Sequence, residues 1–334
     1  MRICVIGAGS IGGLLAAKLA HAGEEVSVIA RGAHLEAIKR NGLRLVEEDG
    51  GEFAVKVAAT DRIKDIGAQD CVILGMKAHQ LAAVAADVPA LLGPDATILT
   101  AQNGIPWWYF FKHGGEHEGL RLETVDPGGV IADHLPIDRI IGSVVYAAAE
   151  IVAPGVIKHG EGNRFSLAEI DNSSTSRVAT LSETFKRAGF KAPVAADIRG
   201  EIWMKLWGNL SLNPVSALTH ATLEDICRYP PTRELVARMM AEAQAIGEAL
   251  GVRFRLPIEK RIAGAEAIGK HKTSMLQDIE AGRAIEIDAL LGSVLELGRI
   301  TGVAAPSLEN VYALVKLAAR MLQEQRGRLR IEPL

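Results

Sequence analysis

Gly7-Ala8-Gly9-Ser10-Ile11-Gly12 is a G-x-G-x-x-G that follows a β-branched apolar run and opens an Ala/Leu-rich one. In that setting each glycine has its own use. Gly7 permits a tight strand-to-helix turn, Gly9 lets a pyrophosphate reach the backbone, and Gly12 lets helix and strand pack closely. Ser10 and Ile11 begin the helix whose N-terminal amides face the phosphates. A bare strand-to-helix turn is the alternative reading of the same residues. The next apolar run ends in Ile29-Ala30-Arg31, with no acid until Glu36. A site that holds a ribose 2′-hydroxyl places a carboxylate there, whereas the forked donors of Arg31 suit a 2′-phosphate. This points to NADPH as cofactor. Lys77 and Asn103 follow two further apolar runs, at the strand ends where open α/β sheets bind ligands. Each contacts the cofactor, or is a helix-start lysine and a turn asparagine before Gly104. His79 reads as a helix-entry residue.

The second half carries a different polar set. Lys205, Asn209 and Asn213 recur at i, i+4 and i+8, which puts all three on one side of a helix with a drift of about 40° per step. Trp203, Trp207, Leu210 and Leu212 leave little room there for a broad wet face. A lysine and two asparagines buried without partners would be costly. Pro214 predicts a kink or helix end after Asn213. Glu286 stands between Ile285 and Ile287, an unusual place for a carboxylate unless it has a partner or serves the helix dipole as a first-turn acid.

The elements that must position these residues follow from periodicity. Strands are predicted at Arg2–Ile6, Val26–Ala30, Cys71–Gly75 and Thr97–Thr100, with helices at Ser10–Ala22, His34–Arg40 and His79–Leu92. Leu43–Val46 and Phe53–Val57 flank Asp49-Gly50-Gly51 as a hairpin. Such alternation predicts a parallel sheet covered by helices on both faces. Residues 105–136 interrupt it with five consecutive aromatics, Trp107 to Phe111. They cover a cofactor cleft, form a subunit interface, or pack on the domain. Strands resume over Ile140–Ala149, Gly155–His159 and Phe165–Leu167, and from Asp197 the pattern is helical, with long runs at Arg233–Leu250 and from Ile285 to Gly298. The expected architecture is an α/β Rossmann-type domain over 1–196 and an all-α domain over 197–334.

Composition narrows the function classes. Over 334 residues, 37 Lys plus Arg against 40 Asp plus Glu give a net charge of −3, with no global attraction for nucleic acid or anionic lipid. The three cysteines are scattered, which fits a reducing, cytoplasmic setting and no disulfide framework, and no Cys/His cluster has zinc spacing. Glycines and Lys18 break the opening apolar run, so it is not read as a signal peptide, and no run of about 20 apolar residues spans a membrane. The expected partner is a small-molecule substrate, with a homodimer as a further expectation from the aromatic run and the apolar C-terminal helices.

Along nearly its whole length the chain resembles the ketopantoate reductase family. The resemblance rests on G-A-G-S-I-G, Arg31, Lys77 and Asn103, then on K-L-W-G-N-L-S-L-N-P from Lys205, T-S-M-L-Q-D from Thr273 and E-I-D from Glu286. It implies NADPH-dependent reduction of the 2-oxo group of ketopantoate to (R)-pantoate, on the route to pantothenate and coenzyme A. It further implies that Lys205 is the catalytic lysine with Glu286 as companion, that Asn209, Asn213 and Ser274 hold the substrate, and that Lys77 and Asn103 contact the cofactor. Where the family pattern leads one to expect two further asparagines, this chain has His271 and Leu223. A reductase of another bulky 2-oxo acid and a non-catalytic NADP(H) sensor are the competing readings.

Overall fold

Short β-branched stretches and longer Ala/Leu-rich ones take the states their periods favour, in a computed structural model that describes residues 1–331. The chain divides into two units, Met1–Ile198 and Arg199–Leu334. In the first, the strands are β1 (Arg2–Ile6), β2 (Glu25–Ile29), β3 (Leu43–Val46), β4 (Glu52–Val55), β5 (Ala58–Thr60), β6 (Gln69–Leu74), β7 (Leu92–Thr100), β8 (Ile140–Tyr146), β9 (Ala149–Ala153), β10 (Val156–His159) and β11 (Arg164–Glu169). Its helices are α1 (Ser10–His21), α2 (Gly32–Asn41), α3 (Val130–His134) and α4 (Ser176–Arg187).

The main sheet runs β11-β8-β7-β6-β1-β2-β5, parallel except for β11. A second sheet runs β4-β3-β10-β9. Helix α1 packs on β1 and β2 and, on its other side, on all four strands of the small sheet. A Cβ on Gly13 would lie 2.7 Å from the Ile157 side chain, so the small residue lets α1 and β10 approach. One side of the main sheet is therefore roofed by a helix that is itself roofed by a sheet. The core on this side is Val5, Leu14, Leu15, Leu19, Val28, Leu45 and Ile157, all fully buried.

Two expected elements differ, and the aromatic run takes the last of its three readings. The helix predicted over His79–Leu92 is instead a chain of tight turns, with 3₁₀ segments at Ala78–Gln80 and Val88–Leu91 and successive i→i+3 bonds such as Val84 N–H to the Leu81 carbonyl and Asp87 N–H to the Val84 carbonyl. Pro89 lacks the N–H an α-helix would aim at Ala85, and its ring disfavours the α conformation at Val88. The strand expected over Ile140–Ala149 changes sheets: β8 ends at Tyr146 and β9 begins at Ala149, with Ala148 bonded to Glu161 and Gly160 between them. The aromatic run packs inward. Trp107, Trp108, Tyr109 and Phe110 are buried, and Trp108 Nε1 donates to Thr100 Oγ1 at 3.1 Å.

The second unit is helical: α5 (Ile198–Thr219), α6 (Leu223–Arg228), α7 (Pro230–Ala249), α8 (Ile258–Glu266), α9 (Ser274–Glu280), α10 (Ser293–Thr301) and α11 (Pro306–Glu324). Helix α5 does not end at Pro214 but continues to Thr219. The proline removes one main-chain bond, to the Leu210 carbonyl, at a cost of about 3 kcal/mol. Burying Leu212, Val215 and Ala217 around it offsets that, at roughly 1.5–3 kcal/mol for each larger side chain. The helix expected from Ile285 begins with a π turn, Asp288–Gly292, that leads into α10. Cys4 and Cys71 are free and buried in β1 and β6, and burial pushes both thiols up to about 12. Among the described residues no helix is long and apolar enough to cross a membrane.

Candidate functional site

The parallel register brings the strand ends to one edge. Ile6 pairs with Ile29 on one side and with Leu74 on the other, and Leu74 pairs with Thr100. Gly7, Ala30, Gly75 and Ala101 therefore lie at one level, beyond the carboxyl ends of β1, β2, β6 and β7. From β1 the chain crosses to β2 on one flank and later to β6 on the other, so the strand order reverses beside Gly7. Ligands of open α/β sheets sit at that reversal.

Gly7 has φ +91°, a conformation L side chains rarely adopt, and its N–H and that of Ala8 both donate to the Ile29 carbonyl, at 3.0 and 3.1 Å. Gly12 sits so close that a Cβ there would be 2.0 Å from the Gly7 carbonyl oxygen. A Cβ on Gly75 would be 2.8 Å from the Gly12 Cα. Gly7, Gly12 and Gly75 thus pack main chain on main chain. Gly75 was visible in sequence only as the residue closing a strand; nothing marked it as the third member. Gly9 is the opposite case, with no atom within 4 Å of the position its Cβ would take. It is the N-cap of α1 without a side-chain cap, and no acid lies in the first turn. The 12-residue helix thus opens on an uncluttered backbone with no acid in its first turn, which fits a dinucleotide pyrophosphate.

Around this edge, Arg31 is exposed as the N-cap of α2, just past β2, with extended backbone. Lys77 is half-buried at the head of the turn after β6, its carbonyl accepting from Gln80 N–H at 2.9 Å. Asn103 is half-buried before Gly104, whose φ is +91°. Between those loops Gln102 Nε2 lies 3.8 Å from Met76 Sδ.

In the second unit α5 is held by two fully buried indoles. Trp203 and Trp207 pack on Phe254, and Trp207 Nε1 donates to the Met240 carbonyl of α7 at 2.8 Å. Lys205 stands between them in sequence and faces the other way. It is half-buried, and loss of hydration pushes its ammonium down to about 8, while attraction from Glu286 pulls the opposite way. Lys205 and Glu286 are thus brought together. Asn209, one turn on, is half-buried, and Asn213, another turn on, is 6% exposed. Ser274 is exposed as the first residue of α9, behind Thr273, whose hydroxyl caps Leu276 N–H at 3.3 Å. His271 and Leu223 meet through their main chains, Leu223 N–H donating to the His271 carbonyl at 3.1 Å.

A half-buried lysine whose acidity lies near neutral can both hold a proton and give it up, and a carboxylate beside it fixes its place. Among the described residues no group of three His, Cys, Asp or Glu side chains is placed to hold a metal ion.

Comparison with known proteins gives matching results for both units. Residues 3–172 match the family model described as ketopantoate reductase PanE/ApbA, and residues 197–319 match the model for its C-terminal domain. A 2-dehydropantoate 2-reductase from Mesorhizobium japonicum is 54% identical over 320 residues, covering 96% of this chain and 98% of that protein. A crystal structure assigned to a ketopantoate reductase of Ralstonia solanacearum superposes with a TM-score of 0.92 at 42% identity, over 96% of this chain and 98% of that one. D-mandelate dehydrogenase, solved with NADH and anilino(oxo)acetate, shares the fold with a TM-score of 0.82 at 24% identity, over 96% of this chain and 99% of that one.

Proposed function

From the premise that the chain belongs to the ketopantoate reductase family, we propose that it reduces 2-dehydropantoate to (R)-pantoate with NADPH, a step toward pantothenate and coenzyme A. The observation that carries the reading furthest is the Lys205–Glu286 pair, a lysine pushed down to about 8 by loss of hydration, with a carboxylate that favours its charged form. The 54% identical relative named as this enzyme supports the substrate.

When bound, NADPH supplies the hydride for the 2-oxo carbon. Gly9 and the first amides of α1 hold its pyrophosphate, Arg31 its 2′-phosphate, and Lys77 and Asn103 the ribose and nicotinamide side. As negative charge grows on the carbonyl oxygen, the Lys205 ammonium stabilises it and gives the proton to it. Glu286 keeps Lys205 charged and oriented. Asn209, Asn213 and Ser274 fix the substrate through uncharged hydrogen bonds. A second reading, a reductase of another bulky 2-oxo acid, draws on His271 and Leu223, which stand where the family pattern has asparagines.

Steady-state kinetics on a panel of 2-oxo acids with NADPH and NADH tests this. Ketopantoate with NADPH is expected to give the highest kcat/KM. A different best acid would favour the second reading, and cofactor binding without any turnover would mean a sensor. Arg31→Asp separates the cofactors. Removing charge-assisted bonds to a phosphate and adding a repelling carboxylate is expected to weaken NADPH by about 10- to 100-fold. NADH should change by less than about threefold, and an equal loss for both would refute the 2′-phosphate role.

A further inference from the structure

The last helix has no part in the roles above, yet it holds the segment that presents Glu286. Tyr312 Oη donates to Asp288 Oδ1 at 2.6 Å, and Lys316 Nζ donates to both oxygens of the same carboxylate at 3.0 Å. Tyr312 and Lys316 are one turn apart on α11, so both reach one group. Burial and the adjoining carboxylate push the Tyr312 phenol well above its ordinary value, so it stays a donor. Arg299, on α10, is the further charge that bears on this phenol.

Asp288 is the first residue of the π turn, and Glu286 precedes it by two. The Glu286 carbonyl accepts from Leu290 N–H at 3.1 Å, which ties its main chain to the same turn. The Asp288 side chain is thus held on α11, while Glu286, just ahead of the turn and bonded to it through its main chain, is the charged group that acts on Lys205. Widened turns of this kind are rare and concentrate at functional sites.

We propose that Tyr312 and Lys316 are positioning residues for the reaction: by fixing Asp288 they set the place from which Glu286 acts on Lys205. The roles of Lys205 and Glu286 are those proposed above, so the test titrates Lys205 without relying on turnover. In the full-length chain, Lys205 is labelled with acetic anhydride across pH and followed by mass spectrometry of its peptide. The parent midpoint is expected near 8. In Tyr312→Phe and in Lys316→Met, Glu286 is held less firmly, its attraction weakens, and the midpoint should fall by about half a unit or more. Lys316→Arg, which keeps the bond to Asp288, should restore it. The alkaline limb of kcat should move by the same amount with KM for the cofactor unchanged. Unshifted midpoints in both variants would overturn the proposal and leave α11 a packing helix. Should Tyr312→Phe fail to fold, the Lys316→Met and Lys316→Arg pair still decides. A shifted midpoint in a protein that turns over no 2-oxo acid would sustain the positioning and sink the activity.

Discussion

Lys205→Met is expected to lower kcat/KM for the 2-oxo acid by about 10³ while leaving cofactor affinity within about twofold. Two losses fall on one atom. In the role proposed for Lys205, the charge forming on the carbonyl oxygen loses a cation beside it, and the oxygen loses its proton donor. Methionine keeps the length and the apolar contacts of the lysine stem, so α5, anchored through Trp203 and Trp207, should keep its place. The parent enzyme carries a further signature of the same group. Lys205 is pushed down to about 8, so reduction should be level below that pH and decline as pH rises through it. The reverse oxidation needs the free amine and should rise over the same interval. In Lys205→Met both dependences should vanish. Kinetics from pH 6 to 10 in both directions, with cofactor binding followed by fluorescence, check this. A loss smaller than about tenfold, or an alkaline limb that survives, would assign proton transfer to another group.

Gly12→Ala should be nearly as damaging for a different reason. Its Cβ would fall 2.0 Å from the Gly7 carbonyl oxygen and 3.2 Å from a Val5 methyl. The closest of these atoms is main chain, which cannot swing aside as a side-chain tip can. The start of α1 would have to lift from β1, at a cost of about 1–3 kcal/mol or more, and would carry with it the first amides of α1, proposed above to hold the pyrophosphate. A fall of several degrees in Tm and a loss of about 100-fold in NADPH affinity are expected. Gly9→Ala is the control. Nothing lies within 4 Å of its Cβ and its φ is −72°, so Tm should be unchanged while affinity still falls, because the new methyl takes space in the proposed pyrophosphate site. Equal melting temperatures for Gly12→Ala and the parent would show that the contact relaxes.

How much of this could be read from residues alone varies with the kind of contact. The strands β1, β2 and β6 were legible because they are buried on both faces and need continuous β-branched runs. The common level of the strand ends was legible for the same reason: once Gly7 follows a parallel strand, register places the other strand ends beside it. The segment 79–92 was misread because Ala and Leu content outweighed one proline in the periodicity, whereas in the folded chain that proline decides the winding. At Pro214 the helix-end alternative fails, since burial of Leu212 and Val215 could not be weighed before the helix had neighbours. Lys205 and Glu286 were both suspect as polar residues in apolar settings, but 80 residues of chain separate them, and no local period links them. The π turn and the bonds to α11 had no local signal at all, because a tyrosine, a lysine and an aspartate are ordinary on any helix surface.

Arg31 stands exposed, with a main chain at φ −137° that nearly any residue adopts. If it reads the 2′-phosphate, the cofactor discriminator is separable from the scaffold in an evolutionary sense. Glycines 7, 12 and 75 constrain one another through their backbones and can drift only together. Position 31 is free to drift alone. A lineage meeting a different balance of reduced nicotinamide pools could change its electron donor at a single codon, and the fold would register nothing.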